Sequence, residues 1–198
     1  MSEQAPRVDP WNLANYLTVL RLLLVPVFLV LLLAESGGND ALRLAATGVF
    51  VGAAITDRID GQIARARGLV TSFGKLVDPI ADKALIGGAL IGLSLLDELP
   101  WWVTAVVLVR EVGITLLRFV VIRHGVMPAG RGGKLKTVLQ VVAIGLYLLP
   151  LPELLDPVLA VVMGAAVLLT VATGIEIAYQ AMLLRTTSER AALKRSRR

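Results

Sequence analysis

The sequence predicts an all-α integral membrane protein of six transmembrane helices, and three observations predict it. Of the 198 residues, 56% are hydrophobic and only 18% are charged, with a mean hydropathy of +0.75, well away from an ordinary soluble domain. Apolar stretches recur at about residues 16–34, 41–56, 84–96, 101–122, 135–150 and 155–184, and about 20 residues of helix span the hydrocarbon core. Lys and Arg fall in alternate connections. They occur at Arg65, Arg67 and Lys75, at Arg123, Arg131, Lys134 and Lys136, and in the tail "RTTSERAALKRSRR". The other connections, "ESGGND", "LDELP" and "LPELLD", hold acids and no basic residue. The positive-inside rule therefore places both termini and the basic loops in the cytoplasm, at the cell membrane, and fits an even number of spans.

Residues 1–15 read as a short cytoplasmic arm, polar, with Pro6 and Pro10 and ending near the interfacial aromatic Trp11. The first apolar run follows Arg7, but it is too long for a signal-peptide core and "LAESGG" is a poor cleavage site. It is expected to stay as the first span of a catalytic domain over 16–184. The second and third stretches reach membrane length only if their helices continue into the polar segment between them. Small residues such as those of "IGGALIGL" at 86–93 let membrane helices approach closely. The basic tail, 185–198, is expected to be a surface helix or disordered. A net charge of +5 tracks the cytoplasmic side and points to anionic lipid headgroups, not to nucleic acid. The absence of cysteine excludes disulfides and thiolate metal sites.

Between the second and third spans, "DRIDGQIARARGLVTSFGKLVDPIADK" places Asp57, Asp60, Asp78 and Asp82 in a greasy context. Asp57 and Asp60 are three apart and Asp78 and Asp82 four apart, so on helices each pair projects from one face within about 60°. Two helix ends can bring four carboxylates to one point, where they repel unless cations neutralise them. The ligands are hard oxygens and the only histidine is His124, beside a cytoplasmic loop, so the expected metal is Mg²⁺ or Mn²⁺, with room for two ions. Gly61 and Gly74 remove side chains where a ligand approaches backbone, and Arg65 lies one turn further on. Metal ions, glycines and an arginine together point to a diphosphate substrate. The structural alternative is interfacial pairing of the four Asp with Arg58, Arg65, Lys75 and Lys83.

The string from Asp57 to Arg65, followed after a gap of eight residues by Gly74 to Asp82, resembles the signature of the CDP-alcohol phosphatidyltransferases, D-x-x-D-G-x-x-A-R followed by G-x-x-x-D-x-x-x-D, at every fixed position. The resemblance implies a six-span enzyme that binds CDP-diacylglycerol, releases CMP and moves the phosphatidyl group onto an alcohol. It assigns Asp57, Asp60 and Asp78 to the metals, Asp60, Gly61, Ala64, Arg65 and Gly74 to the CDP-diacylglycerol site, and Asp82 to the base. Asp82 also counts among the four carboxylates available to the two ions. Together with the small-residue helices it implies a homodimer.

The acceptor is left open by family membership: glycerol 3-phosphate, inositol phosphate, serine or phosphatidylglycerol. Three segments bear on it. In "NLANYLTVLR", Asn15, Thr18 and Arg21 fall on one helical face at the mouth of the first span and form a possible support. In "REVGITLLR", Arg110 and Arg118 lie eight apart, about 80° around a helix, and in "GKLKT" Lys134 and Lys136 open the fifth span. Arg within an apolar span is a functional candidate. Arg110, Arg118, Lys134 and Lys136 are expected to form a basic pocket for an acceptor phosphate, the alternative for Arg110 being a buried pair with Glu111 or with Glu176.

These segments resemble the family members whose acceptor is glycerol 3-phosphate. The rival readings are a cardiolipin synthase or a phosphatidylinositol-phosphate synthase of the same family. Outside it stands a membrane prenyltransferase, which needs more spans and lacks the D-G-x-x-A-R continuation, or a divalent-cation carrier, whose carboxylates belong at mid-membrane depth.

Overall fold

A computed structural model describes residues 13–66, 72–121 and 131–196, with side chains over 16–57, 80–81, 83–117 and 135–183. Among the described residues the regular elements are helical: α1 (Leu13–Leu33), α2 (Asp40–Ala66), α3 (Ser72–Leu95), α4 (Trp101–Val121), α5 (Arg131–Leu148) and α6 (Asp156–Ser196), with short 3₁₀ turns at Ala34–Gly37 and Glu153–Leu155. Each α-helix covers one of the apolar stretches. Helices α2 and α3, of 27 and 24 residues, outrun theirs, so Asp57 and Asp60 lie in the last turns of α2, and Asp78 and Asp82 within the first three turns of α3. Two stretches, Tyr16–Gly37 and Glu153–Leu183, are long and apolar enough on their own to cross a bilayer, while Lys83–Leu95 and Leu135–Leu148 are shorter apolar helices. Helix α6 runs unbroken to Ser196, so residues 185–196 of the basic tail continue that helix.

The chain divides into two compact units, Met1–Leu99 with Ile144–Leu151, and Pro100–Ala143 with Pro152–Arg198. In the first, α1 packs against both α2 and α3. Phe28 of α1 meets Phe50 of α2 with ring centroids 5.9 Å apart, a tilted aromatic pair of the favourable kind. Glycine decides how closely α3 approaches α1: a Cβ on Gly92 would sit 2.7 Å from Leu32 Cδ2, and one on Gly88 would touch Val25 at 3.4 Å. Between α1 and α2 the backbone turns through three left-handed residues, Glu35, Ser36 and Gly37 (φ 52°, 54° and 75°). Asn39 then caps α2, its Oδ1 accepting from the amides of Ala41 (3.1 Å) and Leu42 (3.2 Å), which satisfies two donors that a helix start leaves unpaired.

One turn into α2, Arg43 reaches back over this end of the unit. Its guanidinium forms a two-pronged ion pair with Glu98, with NH2 to Oε2 at 2.7 Å, and donates to the Tyr147 carbonyl at 2.9 Å at the end of α5. The Thr47 hydroxyl is 3.1 Å from the neighbouring carbonyl of Leu148. One side chain thus neutralises the α3–α4 connection and caps the C-terminus of α5. Arg43→Ala is expected to lower stability by about 2–3 kcal/mol, the scale of charge-assisted hydrogen bonds lost from a mostly buried site. Thermal unfolding in detergent checks it, with Glu98→Gln losing less because the carbonyl contacts survive.

In the second unit α4 packs against α6, burying Val103, Thr104 and Val107 of α4 and Met163, Ala166 and Thr170 of α6. Large apolar side chains point outward on several helices, among them Val30, Val109, Val161 and Leu168. Such surface is stable in lipid and a liability in water.

Candidate active site

Asp57, Asp60, Asp78 and Asp82 lie on the parts of α2 and α3 that outlast their apolar stretches. Asp57 is the one whose side chain is described. It pairs with Arg21 of α1, whose side chain is 2% exposed against 38% for Asp57. A guanidinium buried to that degree needs a counter-charge, and Thr18, one turn earlier on α1, is also buried. Thr18 and Arg21 therefore share one helical face, which is buried, and Arg21 is tied to the first residue of the Asp cluster. The side chains of Asn15, Asp60, Gly61, Ala64, Arg65, Gly74, Asp78 and Asp82 lie outside the described ones, as do Arg58 and Lys75, and His124 lies outside the described residues altogether. Among the described residues no three acidic or histidine side chains come together.

The candidate acceptor residues lie on α4 and α5. Arg110 is held on three sides. Its Nε donates to the Thr170 carbonyl at 3.1 Å, NH2 donates to Thr173 Oγ1 at 3.0 Å, and NH1 meets Glu111 Oε1 at 3.2 Å. Its stem lies against Gly174, where a Cβ would come within 3.1 Å of Arg110 Cγ. Of the two acids that the sequence leaves open for Arg110, the structure pairs it with Glu111. Glu176 is exposed and accepts from Gln180 instead (3.2 Å). Lys136 of α5 is buried and also pairs with Glu111 Oε1. Arg118 and Lys134 sit on α4 and α5 with side chains outside the described ones.

Sequence reasoning passed over Glu111 as a bridge and Arg43 as a clamp. The signal for Glu111 was present in its position, an acid beside Arg110 within an apolar helix. Nothing local marks Lys136, 25 residues away, as its second partner.

A family model described as CDP-alcohol phosphatidyltransferase matches residues 11–172. The chain belongs to the CDP-alcohol phosphatidyltransferase family. It is an enzyme of that family and a membrane protein. The chain is 57% identical over 171 residues to a Mycobacterium tuberculosis H37Rv protein named "Probable phosphatidylglycerophosphate synthase", covering 86% of this chain and 82% of that one. A Bacillus subtilis strain 168 protein, CDP-diacylglycerol–glycerol-3-phosphate 3-phosphatidyltransferase, is 37% identical over 179 residues, 84% of this chain and 93% of that one. A Streptomyces coelicolor protein named cardiolipin synthase (CMP-forming) is 37% identical over a shorter 123 residues, 59% of this chain and 54% of that one.

The matched span of this CDP-alcohol phosphatidyltransferase takes in the whole Asp cluster and the cations of α4 and α5, and ends inside α6 before Thr173 and Gly174. Divalent cations fit the donor set. Four carboxylates stand on two helices in a chain without cysteine, and the partner that the described Asp57 takes is itself a cation, Arg21. The residues that would hold the ions are Asp57, Asp60, Asp78 and Asp82.

Proposed function

We propose that the chain transfers the phosphatidyl group of CDP-diacylglycerol to glycerol 3-phosphate, giving phosphatidylglycerophosphate and CMP in phospholipid synthesis. The observation that carries this is the similarity, over more than four-fifths of each chain, to relatives whose names state that reaction. The part-buried Arg110 and the buried Lys136 add support, since a phosphate-bearing acceptor gives such charges a use within an apolar helix bundle. The cardiolipin synthase similarity spans little more than half of either chain, and its acceptor also carries a phosphate.

The six α-helices each cross the bilayer once, with both termini, the Asp cluster and the basic loops on the cytoplasmic side of the cell membrane, as the distribution of Lys and Arg supports. Residues 1–15 are the cytoplasmic arm, 16–184 the catalytic domain and 185–198 the tail, and the enzyme works as a homodimer. Asp57, Asp60, Asp78 and Asp82 would hold two Mg²⁺ or Mn²⁺ ions, which would supply charge neutralisation at the diphosphate. Asp60, Gly61, Ala64, Arg65 and Gly74 receive the CDP moiety. The acceptor hydroxyl attacks the lipid-linked phosphorus, the bond from that phosphorus to the CMP oxygen breaks, and Asp82 takes the hydroxyl proton.

Arg110, Arg118, Lys134 and Lys136 hold the acceptor phosphate, with Asn15, Thr18 and Arg21 in support at the mouth of α1. Removing one charge is expected to raise the acceptor KM about ten- to a hundred-fold, because charge-assisted bonds are worth roughly 1.5–3 kcal/mol each. Arg118→Ala and Lys136→Ala should show this in CMP-release assays while CDP-diacylglycerol affinity stays within a few-fold. Purified protein offered glycerol 3-phosphate, inositol phosphate, serine and phosphatidylglycerol in parallel tests the acceptor itself, and indifference to glycerol 3-phosphate refutes the assignment.

A further inference from the structure

Glu111 engages both cations through a single oxygen. Its Oε1 accepts from Arg110 NH1 and from Lys136, while Oε2 has no partner among the described residues. The three side chains are 12% (Arg110), 7% (Lys136) and 19% (Glu111) exposed, so the carboxylate is the most open member. Arg110 does not depend on it for its position, because α6 grips the guanidinium through Thr170 and Thr173 and leaves no room beside Gly174. A guanidinium has five N–H bonds. Three are used, and the other two have no partner among the described residues. The Thr170 hydroxyl, fully buried next to the carbonyl that Arg110 binds, likewise lacks one. Donors thus remain around Arg110 that one carboxylate oxygen cannot satisfy.

We infer that Glu111 is a resident carboxylate that occupies the phosphate position between Arg110 and Lys136 and is exchanged for the phosphate of the incoming acceptor. This rests on the proposed acceptor site. Two largely desolvated cations side by side repel and are costly to hold, so an empty site needs an internal anion. A phosphate brings a larger charge and more oxygens than Glu111 Oε1 offers, and takes over the two cations while Glu111 swings toward its open side. The product keeps the acceptor's phosphate, so the same cations hold the product, and the returning carboxylate displaces it. The exchange also sets specificity. A neutral alcohol such as glycerol has nothing with which to displace Glu111 and is refused, whereas a dianionic phosphate is admitted.

The test is Glu111→Gln, which keeps shape and removes the competing charge. The KM for glycerol 3-phosphate is expected to fall about ten-fold, and inorganic phosphate to become a competitive inhibitor about ten-fold stronger, on the scale of one charge-assisted contact. The kcat is expected to fall with slower product release, and the KM for CDP-diacylglycerol to stay within a few-fold. A residue that merely glues α4 to α5 would give the reverse, a raised acceptor KM and weaker phosphate inhibition, and that result overturns the exchange. Glu111→Asp guards against loss of folding in the Gln variant. Its shorter carboxylate reaches both cations less well, so its phosphate inhibition constant should lie below that of the unsubstituted protein, and a value equal or higher overturns the proposal. Lys136→Ala separates the two levels of inference. If it raises the acceptor KM while Glu111→Gln does not lower it, the exchange alone is wrong; if it leaves both acceptor KM and phosphate inhibition unchanged, the acceptor site falls and the exchange with it.

Discussion

Asp57→Asn and Asp78→Asn are each expected to abolish CMP release at every Mg²⁺ or Mn²⁺ concentration, and EDTA to abolish it in the unsubstituted protein until either metal is restored. Asn keeps the shape of Asp and one acceptor oxygen but removes the charge that a hard divalent ion requires. With Asp57, Asp60 and Asp78 as the principal ligands of two ions, loss of either charge leaves too little to hold both, and the diphosphate loses the neutralisation on which the transfer depends. Full activity in EDTA would eliminate the metal model. The two variants should differ in one respect that activity alone does not report. Asp57 is also the counter-charge of the buried Arg21, so Asp57→Asn leaves that guanidinium against a neutral amide. An added stability loss of about 1–3 kcal/mol is expected, below the full cost of breaking a buried pair because the Asp57 side is well exposed. Thermal unfolding without metal, where coordination contributes nothing, checks it. Equal midpoints for Asp57→Asn and the unsubstituted protein would show that Arg21 does not rely on Asp57.

What was legible in the sequence is what depends on local pattern. The apolar stretches mark the cores of the six helices, and the expected continuation of the second and third into the polar segment is where α2 and α3 run, to Ala66 and from Ser72. The shared face of Thr18 and Arg21 follows from their spacing of three and is the buried face of α1. The close approach attributed to "IGGALIGL" is made by Gly88 and Gly92 against α1. The partners of the charges were less legible. Arg21 binds Asp57, Arg43 binds Glu98 and Lys136 binds Glu111, each across 25 or more residues, and helix periodicity says nothing about which helix comes to lie opposite. The acidic loop "LDELP" reads as lacking a basic neighbour because Arg43, its partner, sits one turn inside α2 and is counted with the apolar stretch. The Arg110–Glu111 pair was visible as one of two options, and the deciding factor, the grip of Thr170 and Thr173 on the guanidinium, is a property of how α6 packs on α4.

Asp82→Asn is expected to behave unlike Asp57→Asn and Asp78→Asn. The attacking hydroxyl of glycerol 3-phosphate must lose its proton as it bonds to phosphorus, and a positioned general base typically contributes 10²- to 10⁴-fold. Asp82 follows Asp78 by one turn on α3, so the helix sets its backbone position. If its main role is to take that proton, Asp82→Asn lowers kcat about 10²-fold or more while CDP-diacylglycerol still binds, because Asp57, Asp60 and Asp78 remain to hold the ions. The measurement is paired: CMP release under saturating substrates for kcat, and titration of the detergent-solubilised protein with CDP in the presence of Mn²⁺ for nucleotide affinity. A fall in kcat with CDP affinity within a few-fold of the unsubstituted protein identifies the base. Loss of CDP affinity to the same degree as kcat makes Asp82 chiefly a metal ligand, and the proton must then leave by another route.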